Sequence, residues 1–411
     1  MSSAIQKQYK GIYFDLIVLV LIGVFISISV FLKVPFGKPT PVYYDDAQAL
    51  VNGLKHSDYF VPFGYTAFLF YLMKLAGNGG IILGQAFLYI TTILLSYFSL
   101  RILEVTRKFS LVGAIVVAIH PYLIFNIKRI IDNNLSVPLL LGFILCIILI
   151  LKYGCNYITL FFIGTLAGSM LLVRPNFLTV LLLSLVTLVN KTNRKVHLWF
   201  FAILIATMTI IAVTVPLTGK IFILPNNGAY NLFVGANEFT ADALIKNLDV
   251  EPSLDRALKT NGIDVTSVDV KGPSMVPIYR KLGLNYIKNH PVQYFNLCVL
   301  RVYTMFRPDY RLISSSSTGL NLIVMIIIQT IVALPFLLWL ITRLYCYSYV
   351  GILQGIMSIP VMVLYVFPLA LLSANPRLRL TLDIVLILDI VYCWDIRQHK
   401  NPILKKVNLM S

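Results

Sequence analysis

Charge is scarce in this chain of 411 residues: Asp, Glu, Lys and Arg together make up 12% of it, about half the share of a soluble domain. Acids are scarcer still, 17 against 34 Lys and Arg. This composition excludes a cytosolic enzyme, a disordered chain and a collagen-like fibre. The motifs of soluble chemistry are missing too: there is no Walker loop, GxGxxG, HExxH or GxSxG. The five cysteines (Cys146, Cys155, Cys298, Cys346, Cys393) are scattered, so neither a disulfide framework nor a thiolate metal site is indicated. The five histidines show no ligand spacing, and no metal or other cofactor is expected. No internal repeat is visible, which counts against transporter folds built from inverted repeats.

Apolar residues are abundant, at 58%. They gather in runs of roughly 17–25, the length that crosses a bilayer as a helix. The spacing predicts an all-α polytopic membrane protein with spans at 16–32, 81–100, 109–126, 134–151, 157–173, 177–190, 197–217, 318–341, 348–372 and 380–396. The first run follows Lys7 and Lys10, and no small-x-small cleavage site comes after it, so it reads as an uncleaved signal anchor. Two more apolar stretches, 61–76 and 292–306, carry Lys74 and Arg301. A mid-helix charge is costly in lipid, so both are expected to be interfacial or re-entrant helices outside the bilayer core.

With the N-terminus in the cytoplasm, the short cytoplasmic segments hold Lys7, Lys10, Arg101, Arg107, Lys108, Lys152, Lys191, Arg194, Lys195, Arg343, Arg397, Lys400, Lys405 and Lys406, against few acids. That is the positive-inside pattern. The net charge of +17 is therefore topological first, and no nucleic-acid partner is implied. The expected organisation is an N-terminal membrane module at 1–217 with its first external loop at 33–80, an extracytoplasmic segment at 218–291, and a C-terminal membrane module at 292–411. Both termini are expected in the cytoplasm.

Three polar groups fall at the external membrane edge. The first is Tyr43-Tyr44-Asp45-Asp46. Adjacent carboxylates just above a membrane suit a general base acting on an acceptor hydroxyl, and equally a solvated turn after Pro39-Thr40-Pro41. The second is Lys128-Arg129-Ile130-Ile131-Asp132 after His120-Pro121-Tyr122. The third comprises Arg174-Pro175-Asn176 and Asn375-Pro376-Arg377-Leu378-Arg379, with Asp383 one turn on. Basic residues in short external loops run against the topological bias. Binding a phosphate headgroup explains them, because Lys and Arg form charge-assisted hydrogen bonds to its oxygens; snorkelling to the interface is the plainer account of Lys128. Tyr43, Tyr44 and Tyr65 are candidates to stack on a sugar ring. With no nucleotide-binding loop, an enzyme on this face needs a lipid-carried donor.

The order of these segments resembles the membrane-embedded GT-C glycosyltransferases, in particular bacterial relatives of the aminoarabinose transferases and protein O-mannosyltransferases. Besides the acidic pair, the resemblance rests on Ala47-x-x-Leu50-x-x-Gly53, Pro62-Phe63-Gly64-Tyr65-x-x-Phe68-Leu69, Arg174-Pro175, Asn231-Leu232-Phe233-Val234-Gly235-Ala236-Asn237, His290-Pro291-x-x-Tyr294 with Arg301, and Pro376-Arg377-Leu378-Arg379-Leu380. It implies a GT-C-like fold in the bacterial inner (plasma) membrane, among membrane lipids, with an extracytoplasmic site. The implied reaction is inverting transfer from a polyprenyl-phosphate sugar, such as an undecaprenyl phosphate donor, to a hydroxyl of an envelope glycan or lipid such as O-antigen or lipopolysaccharide. Carried onto this sequence, Asp45 or Asp46 is the base and Asp132 a supporting acid. Lys128, Arg129, Arg174, Arg377 and Arg379 are phosphate candidates, and Tyr43, Tyr44, Tyr65 and Asn237 substrate contacts. The acidic pair is Asp-Asp where the family more often has Asp-Glu, and a single proline stands at Pro62 in place of two. The competing expectations are a transporter or flippase, or a polymerase or ligase, of lipid-linked glycans.

Overall fold

The computed structural model describes residues 3–33, 41–54, 60–154, 156–182, 196–221, 225, 227–245, 251–306, 334–344, 366, 369–371 and 380–400. Among them all regular structure is helical. In chain order the principal helices are α1 (Ser3–Lys33), α2 (Pro41–Val51), α3 (Phe63–Ile102), α4 (Arg107–Ala118), α5 (Pro121–Asn126), α6 (Asn133–Tyr153), α7 (Tyr157–Val173), α8 (Val196–Thr218), α9 (Asn227–Gly235), α10 (Thr240–Ile245), α11 (Glu251–Thr260), α12 (Val276–Asn289), α13 (Pro291–Phe306), α14 (Leu334–Leu344) and α15 (Leu380–Lys400). Four described stretches are long and apolar enough to cross a membrane: Gly11–Leu32, Phe63–Ile102, Asn133–Tyr153 and Phe200–Thr218.

Helix α3 covers both the stretch expected to be re-entrant and the span after it, but it is two arms. Ala76 (φ −150°, ψ 28°) and Gly77 (φ 57°, ψ −145°) break it, and the left-handed φ at position 77 suits glycine alone. The chain then folds back on itself. A Cβ on Gly80 would lie 2.2 Å from the Leu72 carbonyl oxygen, and one on Gly84 would lie 2.4 Å from the Leu72 side chain. Residues 63–75 therefore form a separate arm packed against residues 78–102.

The expected span 109–126 is also divided. Helix α4 stops at Ala118, and His120-Pro121 begins the six-residue α5. Proline fits a first turn, where its missing N–H is not needed, and breaks a helix interior.

Helices α1, α4, α15 and the second arm of α3 share one apolar core around Leu19, Ile93, Ala114 and Ile384. Helices α6, α7, α14 and α15 share a second around Phe143, Leu160, Trp339 and Leu386. Contact between α7 and α8 is closer than side chains permit. A Cβ on Gly164 would stand 2.5 Å from the Ala202 oxygen, and one on Gly168 2.5 Å from the Ala206 oxygen. This is small-xxx-small packing, which gains dispersion where lipid offers no hydrophobic drive between helices.

Ion pairs fasten helix ends. Asp15 on α1 is buried, accepts two bonds from Arg107 (2.7 and 2.8 Å) and one from the Tyr97 hydroxyl (2.8 Å). Asp389 on α15 accepts from Arg343 Nε (2.7 Å) and Trp339 Nε1 (2.8 Å) on α14. Asp395, also on α15, accepts the backbone N–H and the hydroxyl of Thr106, the N-cap of α4 (3.1 and 2.6 Å). In a capping box that backbone N–H is taken by a Glu at the third helical position. Here that position is Phe109, and α15 supplies the carboxylate.

Helices α9, α11 and α12, with Met275 just before α12, bury their own cluster of Phe233, Leu254, Leu258, Met275 and Tyr279. The cluster meets the start of α3 through Phe60, whose ring stands edge-on to Tyr230 at 5.2 Å and whose carbonyl accepts the Asn227 N–H at 3.0 Å.

Substituting Gly168→Leu is expected to cost about 1–3 kcal/mol by overpacking α7 on α8. Gly79→Ala, where a Cβ meets nothing within 4 Å, is expected to be neutral. Thermal unfolding of the detergent-solubilised variants measures both, and equal midpoints would dismiss the tight packing.

Candidate functional site

Helix α2 settles which of the two aspartates faces the protein. Tyr43, Asp46, Ala47 and Leu50 recur at i, i+3, i+4 and i+7 and so share one helical face. Tyr43, Ala47 and Leu50 are buried against the first arm of α3 together with Tyr65, Leu69 and Phe70. Asp46 lies at the edge of that face with its Oδ2 shielded from solvent. Asp45 is on the opposite side and exposed. Tyr44 reaches the break in α3, donating to Asn78 Oδ1 at 3.1 Å.

Tyr65 lies at the centre of the cluster. It is wholly buried, and its ring meets Tyr43 edge-on at 5.2 Å. Its hydroxyl accepts from Gln85 Nε2 at 2.7 Å and lies within hydrogen-bond reach of the Asn134 side chain. Gln85 also donates to the Arg129 carbonyl at 3.3 Å. Asn134 Nδ2 donates to the carbonyls of Asn126 and Arg129, each at 2.8 Å, which fixes the loop carrying Lys128–Asp132.

The geometry depends on Gly64. A Cβ there would lie 2.6 Å from the Leu172 carbonyl carbon and 2.7 Å from the Val173 nitrogen. Glycine thus lets the first turn of α3 rest directly on the last turn of α7. The next residue after that turn is Arg174, 4% exposed. Its Nε donates to Asp132 Oδ2 at 2.6 Å and its Nη2 to Asn133 Oδ1 at 2.5 Å. Asp132 precedes the N-terminus of α6 and Arg174 follows the C-terminus of α7, so each charge also meets the favourable end of a helix dipole.

The other expected site residues fall as follows. Lys128 is buried; its Nζ donates to the Phe31 carbonyl at 2.9 Å and lies over the Phe31 ring. It thus closes the C-terminal end of α1, and burial pushes its ammonium below the ordinary lysine range. Arg129 stacks on Phe125 at 4.0 Å. Asn237 spends its side chain on the turn after α9, donating to Phe233 and Val234 carbonyls (2.8 and 3.2 Å) and accepting from the Phe239 N–H (3.0 Å); it does not touch the Tyr65–Arg174 cluster. Arg377 and Arg379 lie outside the described residues.

Four participants carried no assigned role in the sequence reading. Gln85 is a buried amide in an apolar run, and a polar residue within a span is itself a signal. Asn133 and Asn134 lie beside Asp132. Arg301 is 1% exposed and donates to the carbonyls of Ala370 (2.6 Å), Leu371 (3.2 Å) and Gly235, over the ring of Tyr294. Burial lowers its pKa. His120 Nε2 and Asp383 Oδ2 form a further buried pair at 3.8 Å. Among the described residues no three His, Cys, Asp or Glu side chains group as a metal site.

No family model and no curated protein matches this chain. The site combines a carboxylate at the inner edge of α2, a buried tyrosine pair beneath it, and a guanidinium held by Asp132 and Asn133.

Removing one partner of the Asp132–Arg174 pair should destabilise the fold by about 3–5 kcal/mol. A double-mutant cycle on Asp132→Asn and Arg174→Gln, read by unfolding in detergent, is expected to give a coupling energy above about 1 kcal/mol. Additive effects would show that the two groups act independently.

Proposed function

We propose that this chain is a membrane-embedded inverting glycosyltransferase of GT-C type. It would move a sugar from a polyprenyl-phosphate donor to a hydroxyl of an envelope glycan or lipid, such as O-antigen or lipopolysaccharide, on the extracytoplasmic side. The supporting observation is that four separated segments meet at one end of the α6–α7 pair: α2, which carries Tyr43 and Asp46, the start of α3 with Tyr65, the loop ending at Asp132, and Arg174. In this reading the Asp46 carboxylate accepts the proton of the acceptor hydroxyl. The hydroxyl oxygen attacks the anomeric carbon, the bond from that carbon to the phosphate oxygen breaks, and polyprenyl phosphate leaves with the bonding electrons. Arg174, held in advance by Asp132 and Asn133, stabilises that developing charge without reorganising. Tyr44, half-buried on α2, flanks the sugar, with Tyr43 packed behind it against Tyr65.

A second reading, a flippase for lipid-linked sugars, is favoured by the buried ionisable residues of the apolar helices, Asp15, Asp383 and Asp389. Transport through a bilayer recruits such groups. In the enzyme reading they are fasteners, because Asp15 and Asp389 each hold an arginine of a neighbouring segment.

The test is transfer by the reconstituted protein, offered a panel of polyprenyl-phosphate sugars and envelope glycans and followed by mass spectrometry. Asp46→Asn is expected to lower turnover about 10²–10⁴-fold, while Asp45→Asn turns over like the parent chain. Full activity in Asp46→Asn sinks the mechanism. Lipid-linked sugar crossing the bilayer with no glycosidic product selects the flippase.

A further inference from the structure

The corner between α12 and α13 is turned inside out. At about 100° per residue, Val292, Phe295, Val299 and Tyr303 form one stripe along α13, and Arg301 lies about 180° from its first member. The stripe is the exposed side: these residues are 67%, 66%, 54% and 62% accessible, while Arg301 is 1%. A helix on a water-soluble protein has the opposite polarity. The inward guanidinium donates through both Nη atoms to the backbone carbonyls of Ala370, Leu371 and Gly235, which hold Arg301 inside.

Helix α12 leads into that stripe with a face of a different kind. Lys281, Leu284 and Lys288 recur at i, i+3 and i+7, all exposed, while Tyr279 and Gly283 on the other side are buried. Arg280 stands beside them, also exposed. None of these three cations forms an ion pair among the described residues. Basic side chains next to an apolar stripe are what an anionic bilayer surface attracts: phosphate headgroups for the cations, acyl chains for the large apolar residues. The surface is at hand, because the same chain carries four stretches long and apolar enough to cross a membrane. Helix α1 shows the same outward face, with Ile17, Leu21, Phe25 and Ile28 exposed.

We infer that the α12–α13 corner lies on the bilayer, with Lys281 and Lys288 among anionic lipid headgroups and the Val292–Phe295–Val299–Tyr303 stripe in the acyl region. This placement is independent of glycosyl transfer and stands or falls without it. Its consequence is mechanical: Arg301 on the back of α13 holds Gly235 at the end of α9, so the helices packed on α9 ride on the membrane surface.

The experiment uses the full chain with its cysteines replaced, reconstituted in phosphatidylcholine nanodiscs with or without phosphatidylglycerol. Nitroxide labels are placed singly at 284, 295, 299 and 303, with exposed Lys259 on α11 as the aqueous reference. Labels at 295, 299 and 303 are expected to be several-fold more accessible to oxygen, relative to a water-soluble nickel chelate, than the label at 259. Phosphatidylglycerol is expected to slow the label at 284, and Lys281→Glu with Lys288→Glu to abolish that slowing. Chelate access at 295 and 299 equal to that at 259 would put the stripe in water. Shielding from both reagents would mean that protein covers it. A label at 284 indifferent to phosphatidylglycerol would remove the headgroup contact. Each of these three results overturns the inference.

Discussion

The guanidinium of Arg174 is the constraint on which the candidate site depends. It follows the last turn of α7 and bonds Asp132 and Asn133 at the start of α6. Both groups are largely withdrawn from water, so neither tolerates loss of the other. With α6 and α7 pinned there, the loop between Asn126 and Asn134 has a fixed path, and Gln85 bonds into it while also donating to the Tyr65 hydroxyl. Gly64 brings α3 onto the same helix end, and α2 packs over Tyr65.

The ends of the other helices are held by a different use of charge. Arg107, Lys152 and Arg343 count toward the positive-inside pattern, yet in the fold each has an acid: Asp15, Glu104 and Asp389. Residues that the sequence pattern assigns to topology are thus also packing residues in the fold. The arrangement also offsets an electrostatic cost at α4. That helix starts with Arg107 and Lys108, which its dipole disfavours, and the carboxylates of Asp15 and Asp395 stand beside that end.

Apolar run length marked the four described stretches long enough to cross a membrane, while most of the expected spans 177–190, 318–341 and 348–372 lies outside the described residues. The independence of 61–76 was legible from Lys74, a charge that a plain span does not tolerate at mid-helix. The division at His120-Pro121 carried its own signal in the proline, outweighed by the apolar residues on both sides. Asp45 and Asp46 could not be told apart, because the phase of α2 is set by what Tyr43 and Leu50 pack against, a contact with α3 that run length does not encode. Lys128 read as a phosphate candidate for a similar reason. Its partner is the Phe31 carbonyl, far away in the chain, and a backbone acceptor leaves no trace in the side-chain pattern. Arg301 stood in the sequence as a charge within an apolar stretch. That its back is buried on carbonyls could come only from the fold.

The carboxylate that α15 lends to Thr106 comes from 289 residues further along the chain. A ribosome therefore releases α4 long before its N-terminal cap exists. Throughout that interval Asp15 alone offsets the two positive side chains at that helix start, and the Thr106 N–H lacks its carboxylate. The first half of the molecule is thus incomplete by design of its contacts, and its final tightening awaits the arrival of α15. A chain interrupted before Asp395 would carry every helix of the α6–α7 site and still leave α4 loose at its first turn.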